Sequence, residues 1–334
     1  MNPKNTALKN DFLAYLKSIQ RASGTIIGYG NDLDIVNVFI LTRCGNKDFV
    51  SVKKREFAAL QSWLIDEHGN SPARVRRVKA AISSLSNYIT NILADDEPEE
   101  FGDYRPSIRA IENPVNTTVR EKLVLTDEQC DETLRRLVES KKYEQACYLA
   151  LALSSGRRKS ELLRFKVKYF GDDHLICNGA LYSTIETIRT KGRGTQGKQL
   201  VCYTLAKTFK PYFDLWMQER ERLGIESEWL FPDRKNPTVA RNVSVTDTWA
   251  ALFGRILTDI AGERVDYYNH SSRHYLATHL AKCGVPQNVI QSFFGWASLD
   301  LVGVYTDIDA SESFGDYFTP DGIVGGKTAS LSDL

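Results

Sequence analysis

Four separated stretches of the chain gather the residue types best suited to chemistry. SGRRKSEL at 155–162 carries Arg157, Arg158 and Glu161, and Thr190-Lys191-Gly192-Arg193 opens a glycine-rich turn. His270-Ser271-Ser272-Arg273-His274 packs titratable groups together, and FGWASLDLVGVYTD at 294–307 contains Trp296 and Tyr305. Guanidinium forks suit carboxylate and phosphate oxygens. Histidine and lysine move protons. A phenol, with an ordinary pKa of about 10, becomes a nucleophile only beside a base or in a positive field. Singly, each group also has an ordinary reading. Arg158 competes with Arg157, and Lys191 shares its turn with Arg193 and Lys198. Tyr305 is one of 15 tyrosines, and Trp296 could simply pack in a core. His270 and His274 stand four apart, as two zinc ligands on a helix would. The glutamate of HExxH is missing, because position 271 is Ser271, so no metal is expected.

The elements that must position these residues are mostly helical. Leu13, Leu16 and Ile19 share a helical stripe, and residues 25–41 place Ile26, Tyr29, Leu33, Val36, Phe39 and Ile40 on one face. Residues 51–67 form a third candidate helix around Phe57, Leu60, Trp63 and Leu64. Ser71-Pro72 is a helix start, with Ser at the N-cap and Pro in the first turn, and the helix runs to Ile89. Its first two turns carry Arg74, Arg76, Arg77 and Lys79. Residues 94–121 lose periodicity and hold an acidic run with Pro98, Gly102, Pro106 and Pro114, a linker composition. Thr126 with Gln129 signals a new helix. Residues 142–165 are helical with a break at 154–156, and short strands are expected at 174–177, 184–189 and 199–203. The last two flank the turn of Lys191. Helices return at about 205–222, 244–261, 271–283 and 286–294, and the tail from 320 is expected to be flexible.

Charge and composition narrow the classes. Net charge is +1, so overall charge does not argue for nucleic acid, yet the basic stretch 74–79 and the acidic stretch 95–100 are well separated. Such a split can aim a positive face at DNA while the molecule stays near neutral. Hydrophobic residues at 42% and charged residues at 25% are those of a globular protein. Six cysteines (Cys44, Cys130, Cys147, Cys177, Cys202 and Cys283) form no CxxC pair, which suits free thiols in a reducing cytoplasm. No signal core and no run of about 18 apolar residues is present, so no membrane association is expected.

Taken together, the four stretches resemble the boxes of the tyrosine recombinase family, which includes phage integrases, Cre and the Xer recombinases. SGRRKSEL is similar to TGLRxSEL, with Arg158 in the arginine position. His270 to Ala277 matches HxLRHxxA through His270 and Arg273. The last stretch resembles LGHxSLDxTxxYxH, with Trp296 where histidine is commoner and Tyr305 nine positions on. Lys191 fits the lysine on a hairpin turn. Residues 23–33 and 71–89 resemble parts of the family's core-binding domain, so the likeness runs over roughly 10–315.

The resemblance implies a mainly α protein with a small antiparallel sheet. It would comprise a helical core-binding domain at 1–95, a linker at 96–121, an α+β catalytic domain at 122–319 and a flexible tail at 320–334, the two domains clamping DNA. Arg158 and Arg273 would hold the non-bridging phosphate oxygens, with Trp296 adding an indole N–H. Glu161 would buttress an arginine. His270 would donate to the phosphate or accept the phenolic proton. Lys191 would protonate the departing 5′-oxygen, with Lys198 the rival for that role. Tyr305 would form a 3′-phosphotyrosine that keeps the bond energy for rejoining, with no cofactor. Arg74, Arg76, Arg77, Lys79, Arg193 and Lys198 would contact DNA. The implied partners are a double-stranded recombination site and a homotetramer spanning two sites, with residues 307–318 packing on a neighbouring subunit. The protein would be cytoplasmic and nucleoid-associated when bound to DNA. An additional arm-site DNA-binding domain has no room before residue 10. Rival readings are a type IB topoisomerase-like relaxing enzyme and a DNA-binding regulator without catalysis.

Overall fold

The computed structural model describes residues 1–115, 123–190, 197–305, 318–319 and 322–323, with Val304, Tyr305 and the last two segments described as backbone. The chain divides into two compact units, one made mostly of Met1–Arg120 and the other of Glu121–Lys191 with Lys198–Leu334. The fold is mostly helical with small antiparallel sheets. Among the described residues no helix is long and apolar enough to cross a membrane.

The first unit is built from α1 (Pro3–Ser18), α2 (Ser23–Arg43), α3 (Lys54–Ser62) and α4 (Pro72–Tyr88), followed by the short α5 (Ala94–Asp96) and α6 (Pro98–Phe101). The Ser71 hydroxyl accepts from the Arg74 amide and Pro72 sits in the first turn, as the sequence anticipates. Leu33, Val36, Phe39, Ile40, Val75, Val78, Ile82 and Leu85 form its core. The basic stretch is used inside the unit. Asp32 is fully buried on α2 and pairs with both Arg74 and Arg77, the latter at 2.9 Å. Lys79 is itself buried, and its ammonium donates to the Ile111 and Glu112 carbonyls, each at 2.8 Å. The Arg76 guanidinium reaches the Pro114 carbonyl at 2.8 Å. Each of these four expected DNA-contacting cations thus has a partner within the unit, as a charge on a helix surface needs once a strap of chain covers it. That strap is the expected linker. Prolines and glycine erase its helical period, yet Phe101, Tyr104 and Ile108 fall three and four residues apart and pack into the first core.

The second unit surrounds α8 (Tyr143–Ser155), whose residues from Ala146 to Ser155 are all buried. Small residues make that possible, and the Ser154 and Ser155 hydroxyls are satisfied by the Ala150 and Leu151 carbonyls at 2.6 Å. Around it pack α7 (Asp127–Glu139), α9 (Lys159–Leu162), α10 (Ala206–Arg222), α11 (Val245–Ala261), α12 (Ser271–Lys282), α13 (Gln287–Phe294) and α14 (Asp300–Tyr305). The Thr126–Gln129 capping box opens α7.

The strands are β1 (Leu175–Ile176), β2 (Leu181–Ser183), β3 (Ile188–Thr190), β4 (Lys198–Leu200) and β5 (Tyr203–Leu205), with β6 (Phe318–Thr319) and β7 (Gly322–Ile323) near the end. They form an antiparallel sheet ordered β1-β2-β5 and two separate hairpins, β3-β4 and β6-β7. Ile188 pairs with Leu200 and Thr190 with Lys198. The expected strand at 184–189 is therefore shorter, because Ile185 takes a left-handed φ of +58° and interrupts extension. Of the expected tail, only Gly322–Ile323 is described, as strand β7.

Candidate active site

The site grows from the end of α8. Gly156 terminates that helix with φ +58°, and a Cβ there would meet Phe294 at 2.3 Å. Both demands select glycine. The next two residues then diverge. Arg157 turns inward, 1% exposed, and donates to the Phe293 and Phe294 carbonyls at 2.6 and 3.3 Å. Those carbonyls end α13, where cations are favoured. Arg158 turns outward with 32% of its side chain exposed and pairs with the fully buried Glu161 at 3.1 Å. The Arg158 amide donates to the other Glu161 oxygen at 3.1 Å, so one carboxylate fixes both the helix start and the guanidinium. The two neighbouring arginines thus differ in what they touch, Arg157 the end of α13 and Arg158 a buried carboxylate.

His270 caps α12 and lines a cavity of about 560 Å³ together with Arg158. Burial, reinforced by the positive field of Arg273, His274 and Arg158, pushes its pKa down to about 4. The imidazole is therefore neutral at neutral pH, able to accept a proton or donate one hydrogen bond. His274 is buried and packs edge-on against it at 5.8 Å.

Arg273 is 1% exposed and donates to the Gly156 carbonyl at 2.8 Å, joining α12 to the end of α8. Its guanidinium lies 4.8 Å from the Phe294 ring and 5.2 Å from that of Trp296, and these rings stack 4.5 Å apart. Trp296 is buried, packed against the Phe294 ring and the Arg273 guanidinium. Gly295 before it has φ +64°, and a Cβ would meet Leu200 of β4 at 2.5 Å. Lys198 of β4 is exposed and donates to the Gly295 carbonyl at 3.2 Å. The β3-β4 hairpin is thereby fastened beside Trp296. Lys191 and Arg193 lie outside the described residues. Tyr305 ends α14, whose Val302 packs in the cluster of Leu276, Phe294 and Trp296.

Three residues that sequence reasoning missed stand in the same cavity: Lys159, Asp247 and Asn269. Lys159 was within the quoted box, but nothing in the sequence connects it with an aspartate on α11 or an asparagine before α12.

Comparisons with known proteins bear on the family and the fold. A model described as the phage integrase family matches residues 124–312, more than half of the chain. The SPbeta prophage-derived recombinase-like protein YomM of Bacillus subtilis (strain 168) is 28% identical over 229 residues, covering 68% of this chain and 65% of that protein. The chain thus spans slightly less than two thirds of the length of that relative. Tyrosine recombinase XerC of Chlamydia pneumoniae is 23% identical over 319 residues, 89% of this chain and 93% of that one. Among solved structures, XerH site-specific recombinase bound to palindromic difH substrate aligns with a TM-score of 0.62 at 18% identity, over 87% of this chain and 78% of that chain. A lambda integrase dimer bound to a COC′ core site aligns with a TM-score of 0.62 at 15% identity, over 90% and 77%. At those identities the likeness is one of fold. With the family model spanning the arginine pair, the hairpin and the tyrosine helix, the chain belongs to the phage integrase family, the tyrosine recombinases.

Proposed function

We propose that the protein is a site-specific DNA recombinase that cuts and rejoins strands through a 3′-phosphotyrosine at Tyr305. The observation that carries the reading is convergence. Arg158 and His270, far apart in sequence, line one cavity, and Arg273 is anchored to the carbonyl of Gly156, two residues before Arg158. A phosphodiester resists attack because it is anionic, so catalysis consists of holding it and neutralising charge that develops in the transition state. Arg158 and Arg273 supply planar donors for the non-bridging oxygens, and Trp296 adds its indole N–H while its ring helps to fix the Arg273 plane. The neutral His270 takes the phenolic proton as the Tyr305 oxygen bonds to phosphorus. The 5′-oxygen leaves with a proton from Lys191, and attack by a 5′-hydroxyl of a second strand reverses the sequence. Lys198, engaged with the Gly295 carbonyl, acts in docking the hairpin, which supports Lys191 as the acid.

In this reading the first unit is the core-binding domain, the second the catalytic domain, and the partner is duplex DNA in the cytoplasm. Four protomers join two sites, with residues 307–318 reaching a neighbour; of these only Phe318 is among the described residues. Arg76 and Arg193 remain candidates for phosphate contact.

The test uses a library of nicked duplexes with randomised sequence. Covalent protein–DNA adducts are recovered under denaturing conditions and sequenced. The wild-type protein should enrich a defined site, and Tyr305→Phe should bind that site without forming an adduct. An adduct that persists in Tyr305→Phe removes the tyrosine from the role.

A further inference from the structure

Asp247 stands on the first turn of α11, in the cavity lined by Arg158 and His270. One of its oxygens accepts from Lys159 Nζ at 2.7 Å and, at a longer 3.5 Å, from Asn269 Nδ2. Lys159 immediately follows Arg158, and Asn269 immediately precedes His270. A single carboxylate therefore links the two segments that deliver these groups.

The Asn269 end of the bridge is itself fixed. Its Nδ2 also donates to the Thr246 carbonyl at 3.3 Å, and its Oδ1 accepts from the hydroxyl of Tyr148 at 3.1 Å. Tyr148 is fully buried in α8, the helix that ends where the arginine pair begins. The turn leading into α12 thus hangs from α8 and α11 by one amide. A hydrogen bond between the Tyr267 and Ser272 hydroxyls and one from the Tyr268 amide to the Ser271 hydroxyl close the rest of that turn.

Electrostatics make the acid's presence informative. The Asp247 side chain is 61% exposed beside groups assigned to an anionic substrate. A carboxylate there repels a DNA phosphate, so affinity alone does not account for it. Holding Lys159 and Asn269 does.

We propose that Asp247 is a positioning residue that sets the spacing between Arg158 and His270, at some cost in DNA affinity. The inference rests on the recombinase reading and adds to it a residue that touches no reacting atom. Reacting groups displaced by about 1 Å can lose on the order of 100-fold in rate, so a bridge of this kind has a measurable effect on the chemical step.

The experiment compares Asp247→Ala, Asp247→Asn, Lys159→Met and the Asp247→Ala/Lys159→Met pair on a duplex captured by the wild-type protein. Asp247→Ala should bind that duplex as tightly as wild type or tighter, while adduct formation from the bound complex slows about tenfold or more. Asp247→Asn, whose amide oxygen still accepts from Lys159 and Asn269, should recover most of the rate. The double variant should be no slower than either single variant, because both remove one bridge. Wild-type rate in Asp247→Ala, rate and affinity falling together, or no recovery in Asp247→Asn would each overturn the proposal. The His270 ring resonances give a readout independent of activity. They should move in Asp247→Ala and stay near wild type in Asp247→Asn, and unmoved resonances in Asp247→Ala count against the bridge. Absence of any adduct from the wild-type protein would instead sink the recombinase reading, leaving the resonances to decide the bridge.

Discussion

Replacing Arg158 by lysine tests the chemistry most directly, because charge is kept while geometry is lost. Arg158 Nη1 is committed to buried Glu161 at 3.1 Å, which leaves the rest of the planar fork for a phosphate. Lysine has one nitrogen, and the buried carboxylate will hold it. The phosphate then loses a donor that matters most as charge develops, worth about 2.7–4 kcal/mol. At 1.36 kcal/mol per decade, Arg158→Lys should slow single-turnover adduct formation by about 100- to 1000-fold. DNA affinity should change by less than about threefold, since the number of cations near phosphate is unchanged. Arg157→Lys is the companion. Arg157 spends both terminal nitrogens on the Phe293 and Phe294 carbonyls, and a lysine leaves one of them without its charged donor, at a cost of about 1.5–3 kcal/mol. Its melting temperature should fall by roughly 3–12 °C, while the folded fraction cleaves at the wild-type rate. Both variants are read by denaturing gel on the captured nicked duplex, with thermal unfolding alongside. Cleavage by Arg158→Lys within about tenfold of wild type would refute the reasoning. Loss of cleavage in folded Arg157→Lys would reverse the assignment.

His270 should titrate near pH 4 in the DNA-free protein, followed by its ring carbon shifts in NMR, and a midpoint at 6.5 or above would contradict the burial and positive field around it. Because the folded pKa lies below the unfolded value, only the unfolded chain takes up this proton as pH falls from 6.5 towards 4. Stability from this group is therefore intact above pH 6.5 and declines through that window. Lys79→Met should weaken the first unit by about 1–3 kcal/mol in urea unfolding, since two carbonyls lose their donor. It should leave the salt dependence of DNA binding unchanged, and a log–log slope shallower by about 1 would place Lys79 on the DNA after all.

Local signals were enough to read much of the framework. Ser71-Pro72 and Thr126 with Gln129 announce helix starts because caps satisfy orphan amides within a few residues. Apolar periodicity marked α2 and α4, and the resemblance of the boxes to those of the tyrosine recombinases singled out Arg158, His270, Arg273 and Tyr305. Spacing alone could not say which neighbour of a basic pair is buried and which is exposed. That depends on the end of α13 supplying carbonyls to Arg157, and on Glu161 being buried beneath Arg158. Nor could it show that Asp32 and the strap at 101–114 engage all four cations of α4. Phe101, Tyr104 and Ile108 lie among prolines that erase periodicity, and only packing reveals their buried side. The same holds for Lys159, Asp247 and Asn269, which meet through α11. Short-range hydrogen bonding and periodicity are written along the chain, so the sequence determined the elements and the chemistry they carry. Burial and charge pairing arise between elements far apart in the chain, so the tertiary structure alone decided which charged groups serve the fold and which face the site.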